Sequence, residues 1–285
     1  MNNLKISRIK RKLIQIAAFG FSNIHASNLA SAKIYIGKWK YFCNPGLNCY
    51  SCPAATLSCP IGALQAVNGS MKFGFSFYIV GFLLAVGVLF GRLICGFICP
   101  FGLVQELIGK IPLPKFHLPK WMTYIKYGVL LWFVLLWPWI IKSQNLFGIG
   151  DPTFCKYICP AGLLLGGVPL LVGDSNLHQV IGPIFSIKLV ILITVLIGCM
   201  IVIRFFCKVL CPLGAIYGLL NKISFYQLHV DKTICTGCGI CAHACPMDVK
   251  PAVTENSAEC IRCGECAHAC PHQAIHLGFF KDSKK

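Results

Sequence analysis

Eight cysteines near the C-terminus repeat one spacing twice, and this repeat constrains the chain more than any other feature. The spacing is C-x2-C-x2-C-x3-C-P, and its members are Cys235, Cys238, Cys241, Cys245, Cys260, Cys263, Cys266 and Cys270. This run is typical of the thiolate ligands of [4Fe–4S] clusters. Structural zinc sites are the alternative, but they normally use C-x2-C pairs with a longer spacer and need no third cysteine. The repeat therefore predicts two clusters and a role in moving electrons.

Each cluster is predicted to take ligands from both copies. In two-cluster ferredoxins the fourth cysteine of a run binds the other cluster, because the following proline turns the chain away. The first cluster would then be held by Cys235, Cys238, Cys241 and Cys270. The second would be held by Cys245, Cys260, Cys263 and Cys266. We expect residues 226–285 to form a small α+β domain around these two clusters.

The composition predicts that most of the remaining chain lies in a membrane. Of 285 residues, 56% are hydrophobic and 12% are charged, whereas about a quarter are charged in an ordinary soluble domain. The net charge of +17 comes from basic residues at the ends of apolar segments, which favours membrane orientation over nucleic-acid binding. The nineteen cysteines fall into metal-ligand spacings, so clusters explain them better than a disulfide framework.

Residues 1–225 are predicted to be an α-helical membrane domain with about four transmembrane helices. Residues 73–94, 121–141 and 184–206 are apolar and long enough to span a bilayer, which takes about 20 residues. Residues 13–36 are a less apolar fourth candidate, for which a cleaved signal peptide is the alternative to a retained helix. Shorter apolar stretches at 61–67 and 163–172 would be re-entrant or interfacial. The basic flanks predict a bacterial inner-membrane protein with its C-terminal domain in the cytoplasm.

A second repeat divides the membrane domain into two similar halves, at about 11–110 and 121–222. Its pattern, C-P-x-G before an apolar segment, occurs at Cys59, Cys99, Cys159 and Cys211. Proline is favoured at the first position of a helix, so each cysteine is predicted to lie at a helix N-terminus. The partial positive charge there stabilises a thiolate and an anionic cluster.

Two of these motifs match most closely, Cys95-x3-Cys99-Pro and Cys207-x3-Cys211-Pro, and they are predicted to meet at the cytoplasmic face. Pseudo-twofold pairing of the halves would bring together Cys95, Cys99, Cys207 and Cys211 as ligands of a further [4Fe–4S] cluster. The alternatives are that each pair marks only a tight helix start, or that each holds a different metal.

The remaining motif cysteines are predicted to lie on the opposite face: they are Cys43, Cys49, Cys52, Cys59, Cys155 and Cys159. The favoured interpretation is a cluster bound by Cys49, Cys52 and Cys59 with either Cys155 or Cys159. Disulfides between Cys43 and Cys49, or between Cys155 and Cys159, are the alternative. A hydrocarbon core of about 30 Å would separate this site from the inner one, so quinone or recessed clusters would have to connect them.

The motifs together resemble the NapH-like family of membrane-bound ferredoxin-type quinol dehydrogenase subunits, which is related to the NosR and CcoG groups. The resemblance depends on the two C-x3-C-P motifs and the C-terminal cysteine run, and it extends from about Arg11 to the end. It implies electron transfer between the membrane quinone pool and another redox protein, as a subunit of a quinol-dependent oxidoreductase. The alternative that it implies is a redox assembly or regulatory factor that reduces a metal centre of another membrane enzyme.

Overall fold

The chain is helical, with one small sheet near its C-terminus. The computed structural model describes residues 2–31, 33–70, 77–145, 150–173, 179 and 181–279. The helices, in chain order, are α1 Asn2–Ser22, α2 Asn28–Ser31, α3 Pro60–Asn68, α4 Phe77–Phe90, α5 Leu93–Phe97, α6 Pro100–Ile108, α7 Ile125–Val129, α8 Trp137–Gln144, α9 Pro160–Gly162, α10 Val168–Gly173, α11 Pro183–Ile201, α12 Phe205–Val209, α13 Pro212–Leu220, α14 Ile240–His243 and α15 Glu265–Ala269. The strands are β1 Tyr226–Val230 and β2 Ile275–Phe279.

Short 3-10 and π-helical turns extend several of these helices. The 3-10 turns are Lys38–Tyr41 and Lys120–Tyr124, and the π-helical segments are Leu130–Leu136, Phe154–Ile158 and Leu163–Gly167. One of them, Leu130–Leu136, joins α7 to α8, so that helix runs without a break from Lys120 to Gln144. The apolar stretch at 163–172 is likewise helical rather than extended.

In the part of the chain that the structure describes, two helices are long and apolar enough to cross a membrane: Lys120–Gln144 and Pro183–Ile201. By length and composition alone, two such helices are weak support for a membrane location. The prediction of about four spans is not reproduced among the described residues. The helix α4 has 14 described residues. The span predicted over 73–94 begins before α4, at residues that the structure does not describe.

Two predicted spans end earlier than the sequence suggested, each where a buried arginine begins a new turn. The helix α4 ends at Phe90, and Gly91 follows with φ of +56°. The helix α11 ends at Ile201, and Arg204 adopts a left-handed conformation with φ of 58°. Arg92 and Arg204 are both fully buried, because both turn inwards to the cysteine motifs.

The predicted span at 13–36 is not a continuous helix, because α1 ends at Ser22. Polar side chains on α1 are buried against the rest of the protein: Gln15 Nε2 donates to Gly96 O at 2.7 Å, and Arg11 Nη1 bonds to Glu106 at 2.7 Å. The helix therefore packs its polar face on α5 and α6, which explains the polar residues that interrupt its apolar pattern.

The C-terminal domain pairs β1 with β2 in an antiparallel sheet, with Leu228 opposite Leu277. The two cysteine runs lie between these strands in sequence, and the short helices α14 and α15 pack against each other. Equivalent positions of the two runs have left-handed backbone: Gly239 and Gly264 have φ of 76° and 79°. Each loop curves back around its thiols there, a conformation that glycine adopts without steric cost.

Candidate iron–sulfur sites

Four buried thiols meet where the two C-x3-C-P motifs pack together. We call Cys95, Cys99, Cys207 and Cys211 the inner quartet, and each is 5% or 6% exposed. Cys211 lies close enough to interact electrostatically with the other three, and Cys99 interacts with Cys95 and Cys207. The N–H of Gly214, in the first turn of α13, donates to Cys211 Sγ at 3.3 Å. The helix N-terminus therefore faces the thiol, as the C-P-x-G pattern predicts.

Two fully buried arginines cross between the halves at this quartet. Arg92 Nη2 donates to Cys207 O at 3.2 Å, and Arg204 Nη1 donates to Cys95 O at 2.6 Å. Each arginine stands three residues before the cysteine of its own half and binds the carbonyl of the equivalent cysteine in the other half. This reciprocity shows in atomic detail the pseudo-twofold relation that the repeated motif predicts.

Each crossing arginine has a carboxylate partner. Arg204 Nη2 lies 2.6 Å from Glu106 Oε1, and Arg92 Nη1 lies 2.8 Å from Glu259 Oε2. The fully buried Lys126 also bonds to Glu259. Although burial opposes ionisation, Arg92 and Lys126 lower the pKa of Glu259 below its usual value. The positive groups beside the quartet are thus largely paired, which is required of buried charges.

A ladder of ion pairs joins the inner quartet to the C-terminal domain. Arg11 of α1 bonds to Glu106 at 2.7 Å and to Glu265 at 3.0 Å, and Glu106 bonds to Arg204. Glu265 begins α15 inside the second cysteine run. Removing one member of such a buried ladder leaves an uncompensated charge, at a cost of about 3–5 kcal/mol.

A second group of four thiols, the outer quartet, contains Cys49, Cys59, Cys155 and Cys159. Cys155 interacts electrostatically with the other three, and Cys59 interacts with Cys49 and Cys159. All four line a cavity of about 360 Å³. Lys188 of α11 also lines this cavity and interacts with Cys49 and Cys159.

The outer quartet differs in part from the set of cysteines that the sequence favoured. Both Cys155 and Cys159 join the quartet, whereas the spacing favoured one of them together with Cys52. Cys52 interacts electrostatically with Cys49 and packs beside it and two alanines, and its Sγ lies 3.9 Å from Asn23 Oδ1; it is not among the residues that line the cavity. Cys43 lies opposite Ser58 in an isolated bridge. All nineteen cysteines are free, so neither predicted disulfide is formed.

Two glutamines reproduce one contact in both quartets, and sequence reasoning missed them. Gln105 Nε2 donates to Cys207 Sγ at 3.1 Å, and Gln65 Nε2 donates to Cys155 Sγ at 3.3 Å. Each stands six residues after a C-P cysteine and is at most 1% exposed. A polar residue at the same offset in two motif helices, on an otherwise apolar face, is the signal that could have found them.

The C-terminal thiols also separate into two groups. Cys266 interacts electrostatically with Cys245, Cys260 and Cys263, the predicted second set. Burial raises the pKa of Cys263 to about 11. In the predicted first set, Cys235 and Cys241 line one cavity, Cys270 packs against the hydrophobic cluster that contains Cys241 and Cys266, and Cys238 is exposed. The ligand assignments in both sets remain predictions.

The second C-terminal set lies directly against the inner quartet. Gly96, beside Cys95, leaves no room for a side chain, because an added Cβ would lie 2.8 Å from Ile261 O. Asn221, just after α13, donates to Cys260 O at 3.0 Å. The C-terminal domain and residues 1–225 therefore meet at their cysteine motifs.

The inner and outer quartets are also adjacent, which agrees with recessed clusters, one of the two connections predicted from the sequence. The N–H of Leu47 donates to Cys99 Sγ of the inner quartet at 3.3 Å. The same Leu47 lines the cavity of the outer quartet. One residue thus contacts both sites, because the segment before Cys49 folds inwards between them.

The donor sets fit [4Fe–4S] clusters better than single ions. Among the described residues, no group of three or more His, Cys, Asp or Glu side chains is arranged to hold one metal ion. A four-iron cluster distributes four thiolates over four irons, so its ligands lie farther apart than those around one ion. Four thiols, N–H donors and nearby cations suit an anionic cluster with thiolate ligands.

Two domain models match the chain. A 4Fe-4S binding domain matches three times, at residues 73–119, 127–174 and 187–230, and a 4Fe-4S dicluster domain matches residues 227–271. The chain carries ferredoxin-type [4Fe–4S] domains. Each of the three repeats contains one C-x3-C-P motif, whereas Cys49 and Cys59 lie outside the matched residues. Iron–sulfur electron transfer is therefore supported for this ferredoxin-type chain.

Curated relatives agree with this class. The chain is 29% identical to an uncharacterized Methanocaldococcus jannaschii protein, MJ0750, and the match covers 57% of the present chain and 62% of MJ0750. It is 24% identical to the putative electron transport protein YccM of Escherichia coli, and this match covers 57% of the present chain and 43% of YccM. It is 28% identical to the methylamine utilization ferredoxin-type protein MauN of Methylorubrum extorquens, and this match covers 69% of the present chain and 63% of MauN. The chain spans less than two thirds of each of these relatives, and no solved structure matches it significantly.

Proposed function

We propose that this protein carries electrons between the membrane quinone pool and another redox protein through four [4Fe–4S] clusters, as the NapH-like resemblance implies. The four thiol groups described above would hold the clusters, which supply one-electron transfer when bound. The protein contributes burial, N–H donors and charge, which tune the reduction potential of each site. In this proposal the chain is anchored in the bacterial inner membrane with its C-terminal domain on the cytoplasmic side.

The succession of contacts between the thiol groups is the observation that carries the proposal. The outer quartet touches the inner quartet through Leu47, and the inner quartet touches the second C-terminal set through Gly96 and Ile261. The two C-terminal sets share one hydrophobic core that contains Cys241 and Cys266. An unbroken series of this kind suits transport of electrons through the protein, whereas an isolated structural metal needs no neighbour.

The two ends of the series differ in a way that suits the two proposed partners. The first C-terminal set includes the exposed Cys238, so a soluble redox protein would reach this end. The outer quartet lies beside the apolar helix α11, which carries Lys188. Quinol reaching that end would release two electrons and two protons, and the electrons would pass singly along the series.

The test is anaerobic reduction of the purified protein in detergent, first by a quinol analogue and then by dithionite, followed by EPR. The proposal predicts that quinol produces part of the signal and that dithionite produces the remainder. The variant Cys155→Ser should lose the quinol-dependent part if the outer quartet is the entry site. Signals that appear only with dithionite in the wild-type protein would overturn the quinol link while leaving the iron–sulfur assignment in place.

A further inference from the structure

Residues 44–48 form a buried segment that separates the two quartets, and we call it the linking segment. Its member Leu47 is 2% exposed, donates its N–H to Cys99 Sγ at 3.3 Å and lines the cavity of the outer quartet. The next residue but one is Cys49, which belongs to the outer quartet. This piece of backbone therefore connects the two quartets.

The linking segment approaches the inner quartet so closely that only glycine fits at one position. A Cβ added to Gly46 would lie 2.7 Å from Cys99 Cα, and real side chains do not approach this closely. The φ of Gly46 is not in the left-handed region, so close approach rather than backbone conformation accounts for the glycine.

A fully buried tyrosine holds the segment from the other side. Tyr217 of α13 donates its hydroxyl to Pro45 O at 2.9 Å. It lies within electrostatic range of Cys95 and Cys99 in the inner quartet and of Cys59 in the outer quartet. One side chain thus contacts the linking segment while facing thiols of both sites.

Amide side chains fix the rest of the segment. Asn44 Oδ1 accepts from the N–H of Gly46 at 2.9 Å, and Asn44 Nδ2 donates to Ser22 Oγ at 2.9 Å. Asn48 Nδ2 donates to Asn23 Oδ1 at 3.2 Å, and both Asn44 and Asn48 are 0% exposed. A buried segment with this many hydrogen bonds has one conformation, which is more than a spacer between two sites requires.

We propose that the linking segment, with Tyr217 as its positioning residue, is the electron-coupling element between the inner and outer quartets. The inference rests on the proposed function, since it requires a cluster at each quartet. Electron transfer weakens steeply as a gap widens and is better supported by bonded atoms than by empty space. The hydrogen bond from Leu47 to Cys99 and the continuous backbone from Leu47 through Asn48 to Cys49 supply such a bonded route.

The experiment compares Gly46→Ala and Tyr217→Phe with the control Gly81→Ala, where an added Cβ meets nothing within 4 Å. Gly46→Ala should push the segment away from Cys99, and Tyr217→Phe should remove only the bond to Pro45. Iron is counted in each protein, and magnetic coupling between the dithionite-reduced clusters is measured by EPR. Cys155→Ser, which should lack the outer cluster, defines the uncoupled spectrum.

We expect Gly46→Ala and Tyr217→Phe to keep the wild-type iron content and to lose part of the coupling, whereas Gly81→Ala keeps all of it. Tyr217→Phe decides the question if Gly46→Ala fails to assemble, because it preserves the ring. Full iron content with wild-type coupling in Tyr217→Phe would overturn the inference. An outer quartet without iron in the wild-type protein would overturn it together with the four-cluster proposal. Coupling that depends on Tyr217 in a protein that quinol cannot reduce would uphold it and reject only the quinol link.

Discussion

The inner and outer quartets follow one local plan but lie in different electrostatic surroundings. In each, a helix begins with Pro after a ligand cysteine, Cys99 or Cys59, and a glutamine on that helix bonds to a thiol of the facing C-x3-C-P motif. Each quartet takes two cysteines from each half, but in the outer quartet the first-half pair is Cys49, from a loop, and Cys59, instead of a C-x3-C-P pair. A duplicated scaffold thus supplies two sites, and only one of them retains the full symmetry.

The charges around the two quartets differ more than their ligands do. Two fully buried guanidinium groups, from Arg92 and Arg204, bind the inner quartet's backbone, whereas the outer quartet has the half-buried Lys188 beside a cavity. Nearby positive charge favours the more negative, reduced state of a cluster. Glu106 and Glu259 offset two of the three buried cations Arg92, Arg204 and Lys126, so one net positive charge remains beside the inner quartet, whereas solvent screens Lys188. The comparison therefore predicts that the inner site has the higher reduction potential and that electrons move downhill from the outer quartet inwards.

The largest expected effect is loss of a whole cluster from one quartet. Cys207→Ser and Cys155→Ser should each lose about four irons, from the inner and outer quartets respectively, because each cluster needs four thiolates. Cys52→Ser is the matched control, since Cys52 lies outside the outer quartet and should retain all its iron. Iron and sulfide analysis of the purified variants makes the comparison. Loss of iron from Cys52→Ser, with none from Cys155→Ser, would restore the ligand set favoured by spacing.

The next effect is on the stability of the inner site. Arg204→Gln removes one charge of a buried pair and leaves Glu106 with Arg11 alone, so we expect a loss of about 3–5 kcal/mol in the free energy of unfolding. Arg8→Gln is the control, because Arg8 pairs with Glu265 but is 47% exposed, and we expect a loss of about 0–1 kcal/mol. Thermal unfolding in detergent measures both. Equal destabilisation of the two variants would show that burial of the pair does not matter.

A smaller effect should separate the two glutamines. Gln105→Leu should lower the reduction potential of the inner site, and Gln65→Leu that of the outer site, because each removes an N–H donor to a thiolate. A hydrogen bond to a charged group contributes about 1.5–3 kcal/mol. Redox titration followed by EPR measures the two potentials in each variant. If either substitution shifted both potentials alike, the contacts would not be specific to one quartet.

The smallest effect is expected from Lys188→Met. The ammonium group faces Cys49 and Cys159 but is only half-buried, so solvent and salt screen it. The outer potential should fall by less than in Gln65→Leu, and the inner potential should not change. The same titration measures it, with Lys142→Met as a control on another apolar helix. A larger shift than that of Gln65→Leu would mean that charge, rather than hydrogen bonding, dominates the outer site.

Local features of the sites could be predicted from sequence because they depend on short spacings. The proline after Cys59, Cys99, Cys159 and Cys211 begins a helix in every case, as its fixed φ favours. The repeated C-x3-C-P motif also predicted which inner thiols the fold brings together. The iron–sulfur class and the C-terminal dicluster domain are confirmed by the domain matches.

The relative positions of the sites could not be predicted, because they depend on contacts between distant residues. Asn44 and Asn48 hold the linking segment through Ser22 and Asn23, and no periodic pattern records those bonds. Hydropathy placed the outer cysteines across a membrane from the inner ones, yet Leu47 touches both sites. The polar residues of α1 could not be interpreted for the same reason, since Arg11 and Gln15 bond to Glu106 and Gly96, which lie far along the chain.

The most direct test of four adjacent clusters is the iron and acid-labile sulfide content of the anaerobically purified wild-type protein, with EPR spin counting after full reduction. Four clusters predict about sixteen irons and about sixteen sulfides per chain, with signals broadened by magnetic coupling. About eight irons per chain, with the spectrum of an isolated two-cluster domain, would contradict the account, because both quartets in the membrane domain would then lack clusters.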